Sequence, residues 1–376
     1  MRKTCKVLVN GEAFTANCGD LLLDAALMHG VDIPHDCRCG YCGTCAVNVV
    51  EGRVFGGEDG EAGPVRACQC RVISDLTVEI DDAPQMVMQH GHVVELVRLA
   101  PTVVEVRIAL PRPVEFRPGQ YYKVQFRGFP ARCYSPTFPV EGTHDATMLR
   151  FHVSRVANGL VSTALGREIQ VGHRVKLTGP LGAAFFRPDH PGRMVLVASG
   201  TGFAPMWSIA LAAIVELHDR DLVLLAGARS LRSLYMVRAL CKLARFPNVT
   251  IIPVVFEAQM FSHAVRIGRP TDYMPPLSSS DIVYTAGAPA MVQTVARMAR
   301  AAGSKCYMDP FTAQDTHAER SGLLQRAAAW FSSDAPALVP GQTATDASRQ
   351  GKPRATSPRL REPTKAATAR SNAAAH

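Results

Sequence analysis

Six of the eleven cysteines crowd between positions 37 and 70, and their spacing is the first feature of the chain that could do chemistry. Cys37, Cys42 and Cys45 stand as C-x4-C-x2-C, with Cys68 and Cys70 downstream. That spacing suits a [2Fe-2S] cluster, in which several thiolates converge on one small inorganic core. The loop must turn sharply and aim amide N–H groups at the sulfurs. Gly40 and Gly43 supply that freedom, because glycine adopts positive φ at no steric cost. A zinc site would call for a second, separate C-x2-C or an H-x3-H downstream, and neither follows. The fourth thiolate is Cys68 or Cys70, with Cys39 a further thiol inside the loop.

Other short motifs carry chemistry of a different kind. Arg132-Cys133-Tyr134-Ser135 offers a guanidinium that can fork onto a pyrophosphate, an aromatic face that can stack on an isoalloxazine, and a hydroxyl. Asn158-Gly159-Leu160-Val161-Ser162 reads as the opening of a short helix whose N–H groups could hold phosphate. Gly200-Thr201-Gly202, followed by Pro205, lies between a predicted strand and a predicted helix, where backbone can approach a pyrophosphate and proline suits the first helical turn. Gly287, Pro289 and Met291 lie just past the end of another predicted strand, where open α/β sheets bind ligands.

These motifs need elements to position them. Alternation over 3–9, the Asn10-Gly11 turn signal, a return over 13–15 and a helix over 21–29 precede the cysteine loop; strands at 46–50 and 76–80 follow it. This order predicts an α+β β-grasp body over 1–84. Residues 81–91 read as a linker. Short strands at 93–99, 103–110, 121–126, 147–153 and 174–178, separated by Pro- and Gly-bearing turns, predict a small antiparallel β-barrel over 92–188. From 189 to 313 apolar strands at 194–198, 221–226, 249–255, 281–286 and 305–308 alternate with helices at 206–217, 233–244 and 290–301. That alternation predicts a doubly wound parallel α/β domain. Residues 314–376 read as an extension: an amphipathic helix over 318–331, then a Pro/Ala/Thr/Ser/Arg tract too poor in apolar periodicity to fold.

Charge is distributed unevenly along the chain. Residues 1–84 carry seven Lys/Arg against thirteen Asp/Glu, residues 333–376 carry seven against three, and the net for the whole is +9, so the middle is strongly basic. An acidic head beside a basic body suits docking of the head and binding of anionic dinucleotides. No basic, aromatic-interleaved motif points to nucleic acid. The longest apolar run, 206–217, is too short to span a bilayer, and no basic-then-apolar leader opens the sequence. Crowded cysteines fit a reducing compartment, so the reading is a cytoplasmic monomer off the membrane.

In this order the pieces resemble the ferredoxin–NADP reductase superfamily. Within it they resemble the reductases of ring-hydroxylating dioxygenases that carry an N-terminal plant-type ferredoxin domain. The tract from Val65 through Ala67-Cys68-Gln69 to Ser74-Asp75-Leu76 and Val78-Glu79 is similar to the end of such ferredoxin domains, which implies Cys37, Cys42, Cys45 and Cys68 as the cluster ligands. The resemblance further implies FAD held by Arg132, Tyr134 and Ser135, with Gly159 and Ser162 near its phosphates. It implies NADH or NADPH at Gly200, Thr201, Gly202 and Pro205, with Gly287, Pro289 and Met291 toward the nicotinamide and the Phe311 ring covering the flavin. Ser135 and Phe311 are thereby the residues closest to the redox chemistry. Arg229 and Arg232, in a stretch without the acidic residue common in NADH-specific relatives, suggest a 2′-phosphate pocket.

The implied activity follows from electron counting. A nicotinamide gives two electrons at once and a [2Fe-2S] cluster accepts one, so a flavin belongs between them. The implied acceptor is a Rieske-type ferredoxin or a terminal oxygenase. Reductases of diiron monooxygenases or deoxysugar dehydratases are built alike, and a redox-sensing subunit without turnover is the reading of another class.

Overall fold

A computed structural model of the chain describes residues 3–36, 38, 40, 43–57, 64–80, 86–257 and 264–312. Cys37 and Cys42, the expected helix at 318–331 and the tail beyond it lie outside the described residues.

The head is a five-stranded mixed sheet. Thr4–Val9 and Glu12–Asn17 pair through Asn10-Gly11, both at positive φ as that two-residue turn requires. Leu76–Glu79 then joins Thr4–Val9 in parallel, Ala46–Glu51 pairs antiparallel on its other side, and Val65–Arg66 closes that edge against Ala46–Glu51. Cys5, Val7 and Val9 alternate inward, and the helix Leu22–Met28 lays Leu22, Leu23, Ala25 and Ala26 over them. This is the expected β-grasp. The short strands Val54–Phe55, Val65–Arg66 and Arg71–Val72 add to it; two residues carry no period, so the sequence does not announce them.

The second body is a six-stranded antiparallel sheet in the order Arg132–Tyr134, Tyr121–Phe126, Arg174–Leu181, Val87–Ala100, Val103–Ala109, Met148–Ser154. A bridge between Pro136 and Phe151 brings the first edge toward the last, so the sheet curls into a barrel around Val106, Tyr122, Phe126 and Phe151. One strand departs from expectation: it begins at Val87, not 93, and its polar start pairs with Arg174–Gly179. Val87, Met88, His90 and His92 are exposed there and the half-buried side carries only Gln89 and Gly91, so the segment lacks an apolar stripe.

The third body is a six-stranded parallel sheet in the order Arg266–Ile267, Val249–Glu257, Leu222–Ser230, Met194–Ser199, Ile282–Gly287, Lys305–Pro310. The chain winds outward from Met194–Ser199 in one direction, then returns to its other side, which opens a crevice at that strand's carboxyl end. The helix expected from 206 starts at Phe203, because the 3₁₀ turn Gly200–Gly202 runs straight into it. The helix expected over 233–244 resolves into a turn, Leu231–Ser233, closed by reciprocal Ser230 and Ser233 bonds, and a helix Val237–Leu243. Trp207, fully buried, donates Nε1–H to Phe138 O at 3.0 Å, and Thr137 Oγ1–H bonds Ala204 O at 3.0 Å. These bonds seat the barrel's 136–138 segment on the helix Phe203–Glu216.

Candidate functional site

A cavity of about 800 Å³ lies where the second and third bodies meet. One wall is the short edge strand carrying Arg132, Tyr134 and Ser135; the floor is the turn from Asn158 to Ser162; the opposite wall is the loop Gly200-Thr201 with Pro205. Arg229, Gly287 and Phe311 complete the far end. Eleven of the site residues expected from the sequence therefore converge, although they come from segments far apart in the chain. Gly202, Arg232, Pro289 and Met291 do not line this cavity.

Local chemistry explains the convergence. Gly200 sits at φ +56 with open space where a Cβ would be, so the chain can turn sharply off its strand toward the cavity. Gly202 serves a packing role instead. A Cβ there would stand 2.2 Å from Ala286 O, so its absence lets the turn lie against the neighbouring strand. The 158–162 segment is a set of turns, not the expected helix. Asn158 adopts φ 61, and Ser162 Oγ accepts from Val156 N–H at 3.1 Å, keeping its own hydrogen for a ligand. Phe311 is fixed at the rim by its N–H, which donates to Gly287 O at 2.7 Å.

Two acidic groups missed in the sequence stand at this site, one on the cavity and one behind it. Asp309 borders the cavity, and Ser135 Oγ donates to its Oδ2 at 3.1 Å. Burial pushes its carboxyl up to about 6, and the serine bond offsets part of that rise. Alone beside a proline near a strand end, Asp309 gave no periodic signal. Glu105 and His152 are a cross-strand pair, and His152 lines the cavity. His152 Nε2 lies 3.1 Å from Glu105 Oε2, and its Nδ1 lies 3.0 Å from the Tyr235 hydroxyl of the third body. Burial alone would raise the Glu105 carboxyl, but hydrogen bonds from His152 and Arg107, with their charges, bring it down to about 2. Strand register could have exposed this pair; composition could not.

The cysteine loop turns sharply at its described residues. Arg38, Gly40 and Gly43 all take positive φ. Cys45 and Cys68 are brought side by side by the Ala67 N–H bond to Cys45 O at 2.9 Å. The Gln69 amide donates to Cys68 Sγ at 3.7 Å and to Arg38 O at 3.3 Å, tying the Cys68 turn to the loop. A Cβ on Gly40 would stand 2.6 Å from Gln69 Cγ, so glycine is required there. Cys70 points elsewhere, under the turn at Gly57, and burial pushes its thiol up to about 12.

Comparison with known proteins agrees with this three-body organisation. Residues 7–72 match the family described as 2Fe-2S iron-sulfur cluster binding domain, 90–186 the oxidoreductase FAD-binding domain, and 196–297 the oxidoreductase NAD-binding domain. The chain is 31% identical over 325 residues to the ferredoxin–NAD(P)+ reductase component of the naphthalene 1,2-dioxygenase system of Pseudomonas putida, covering 80% of this chain and 96% of that one. The chain belongs to the ferredoxin–NAD(P)+ reductase family. A second member, the reductase component of naphthalene 1,2-dioxygenase/salicylate 5-hydroxylase systems of Ralstonia sp., is 34% identical over 296 residues, 74% of this chain and 89% of that one. Among solved structures, the Amycolatopsis cytochrome P450 reductase GcoB aligns with a TM-score of 0.62 at 29% identity, over 83% of this chain and all of that one. As a ferredoxin–NAD(P)+ reductase, the chain is an NAD(P)H-dependent oxidoreductase whose cofactors are FAD and a [2Fe-2S] cluster. Among the described residues, no helix is long and apolar enough to cross a membrane.

Proposed function

We propose that this reductase serves an aromatic ring-hydroxylating dioxygenase in the cytoplasm, handing electrons to a Rieske-type ferredoxin or directly to the terminal oxygenase. The observation that carries the reading is the cavity in which the Arg132–Ser135 strand, the 158–162 turn and the Gly200 loop meet beside the cysteine loop. The donor set fits a flavin dinucleotide: the Arg132 guanidinium, the Tyr134 ring, a Ser162 hydroxyl with a hydrogen to give, and the backbone turn at 158–162. When bound, the flavin accepts an electron pair from the nicotinamide and releases electrons singly, as the cluster requires.

The chain's own groups then have distinct roles. Arg132 and the turn at Gly159 and Ser162 hold phosphate by charge-assisted bonds. Tyr134, its phenol kept neutral by burial, presents an apolar face to the ring system. Ser135 passes or withholds a proton through its bond to Asp309 Oδ2. Gly200, Thr201 and Pro205 take the dinucleotide's pyrophosphate at the start of the helix Phe203–Glu216. Phe311 shields the cavity from water. Gly287 lines the nicotinamide end, with Pro289 and Met291 behind it at the start of the helix Pro289–Ala301, and Arg229 on the cavity wall with Arg232 beyond it would meet a 2′-phosphate, so that NADPH is used at least comparably with NADH. Cys37, Cys42, Cys45 and Cys68 hold the cluster.

The test is reduction of candidate acceptors by the purified holoenzyme, with cytochrome c as a one-electron control. Fast NAD(P)H-dependent reduction of a Rieske ferredoxin or Rieske oxygenase is the expected result. Reduction of a diiron hydroxylase alone would reassign the acceptor, and absence of any turnover would reinstate the sensing subunit.

A further inference from the structure

Asp36 and Thr44 each stand one residue before a cysteine assigned to the cluster, and both side chains meet the same tyrosine on the barrel. Tyr121 Oη–H donates to Asp36 Oδ2 at 3.0 Å, and Thr44 Oγ1 lies 3.1 Å from that hydroxyl. With the phenol's one hydrogen given to the carboxylate, Thr44 is the donor and the phenol oxygen its acceptor. Lys123, two residues along the same strand and so on the same face, pairs with Asp36. The Asp36 side chain keeps only 8% of its exposure, against 43% for Lys123. Burying a carboxylate between two bodies is costly unless hydrogen bonds and a counter-charge offset the lost water, and this contact supplies both. Behind it, Gly182 at φ +94 leaves room for the tyrosine ring, since a Cβ there would stand 2.8 Å from Tyr121 Cδ1. Tyr121 and Asp36 also line the cavity, so the contact joins the cysteine loop to the cavity wall.

We propose that Asp36, Thr44, Tyr121 and Lys123 are a clamp that holds the cluster loop against the flavin cavity and thereby sets the rate at which electrons pass between them. This rests on the reading of the cavity as the flavin site and the loop as the cluster site. Each passage removes one electron from the reduced flavin and adds one to the cluster, with no bond made or broken in the clamp. Such transfer slows steeply with distance, so the four side chains act by position alone.

The experiment is anaerobic stopped-flow reduction of the holoenzyme by NADH, following flavin bleaching and cluster reduction separately. The variants are Lys123→Gln and Thr44→Val, neither of which lines the cavity. The clamp predicts flavin bleaching within about twofold of wild type and cluster reduction slowed about tenfold or more in the double variant. It also predicts a wild-type cluster-reduction rate that falls with added salt, a dependence that Lys123→Gln loses and Lys123→Arg keeps. Two readouts do not depend on turnover. Hydrogen exchange at Thr44–Ala46 should quicken in the variants, and the EPR spectrum of the chemically reduced cluster should stay unchanged. If Thr44→Val loses the cluster, Lys123→Gln alone carries the test, because it lies on the barrel. Cluster reduction at the wild-type rate and salt dependence in Lys123→Gln would overturn the clamp alone. Wild-type protein without a bound flavin or cluster would overturn both the clamp and the reading beneath it.

Discussion

Replacing Asp309 with Asn should stabilise the protein at pH 8 and do so much less at pH 4.5. The carboxyl borders the cavity, accepts from Ser135 Oγ, and has no cationic partner among the described residues. Burial pushes it up from 3.8 to about 6. The folded chain therefore binds this proton more tightly than the unfolded chain does. Stability is lost as pH rises through the interval between those two values, and the cost is constant above it. A shift of about two units corresponds to about 3 kcal/mol, and since the carboxyl keeps some exposure to the cavity, that figure is an upper bound. The amide oxygen of Asn can still accept from Ser135, so the variant loses the charge and not the bond. Urea denaturation of the holoenzyme at pH 4.5 and pH 8 measures the difference. The variant should gain up to about 3 kcal/mol at the higher pH and no more than about 1 kcal/mol at the lower, where only the first part of the interval has been crossed. NAD(P)H-to-ferricyanide turnover of wild type should show an inflection near pH 6 that the variant lacks. The same stability difference between the two proteins at both pH values, zero included, would refute the argument.

Other outcomes follow from other contacts. Cys68→Ser should abolish the visible absorption and EPR signal of the cluster while FAD stays bound, whereas Cys70→Ser should keep them; the reverse pattern would exchange their roles. Glu105→Gln should cost about 2–4 kcal/mol at pH 7, because it leaves His152 and Arg107 facing a lost charge. In wild type that contribution is present at neutral pH and drains away as pH falls from 4.5 toward 2; a loss under about 1 kcal/mol by urea midpoint would contradict it. Arg232→Asp should raise KM for NADPH far more than for NADH, and a wild-type preference for NADH of about a hundredfold, near 2.7 kcal/mol, would remove the inferred phosphate pocket.

The three bodies were legible because each has its own hydrophobic period. Alternation marked Thr4–Val9, and continuous apolar runs marked Met194–Ser199 and Ile282–Gly287, buried on both faces. The glycine motifs were legible too, since turns that need positive φ or close approach admit few other residues. What stayed hidden was whatever depends on register or on contact across bodies. Glu105 and His152 are neighbours only once two strands are aligned. Asp36 finds Tyr121 only once the head meets the barrel. The polar start of Val87–Ala100 looked like a linker because pairing, not burial, holds it. The motif residues Gly202, Pro289 and Met291 pointed to the right strand ends, yet they sit beside the cavity and not on it: Gly202 by packing, Pro289 by opening the helix Pro289–Ala301.

The chain of contacts from Glu105 through His152 to Tyr235 bears on how this protein can change over generations. Glu105 and His152 keep side-chain exposures of 10% and 3%, so neither can shed its partner to water. Loss of the glutamate alone leaves a buried histidine nitrogen without its acceptor between two bodies; loss of the histidine alone leaves Glu105 Oε2 and the Tyr235 hydroxyl without their shared partner, although Arg107 and Arg150 still hold Glu105 Oε1. Among descendants, positions 105, 152 and 235 should therefore drift as a unit, polar together or apolar together. Single replacements should survive only where a second has already occurred. Arg107 and Arg150 also bond Glu105, but their side chains reach solvent and can exchange that partner for water, so they should vary more freely than the buried three.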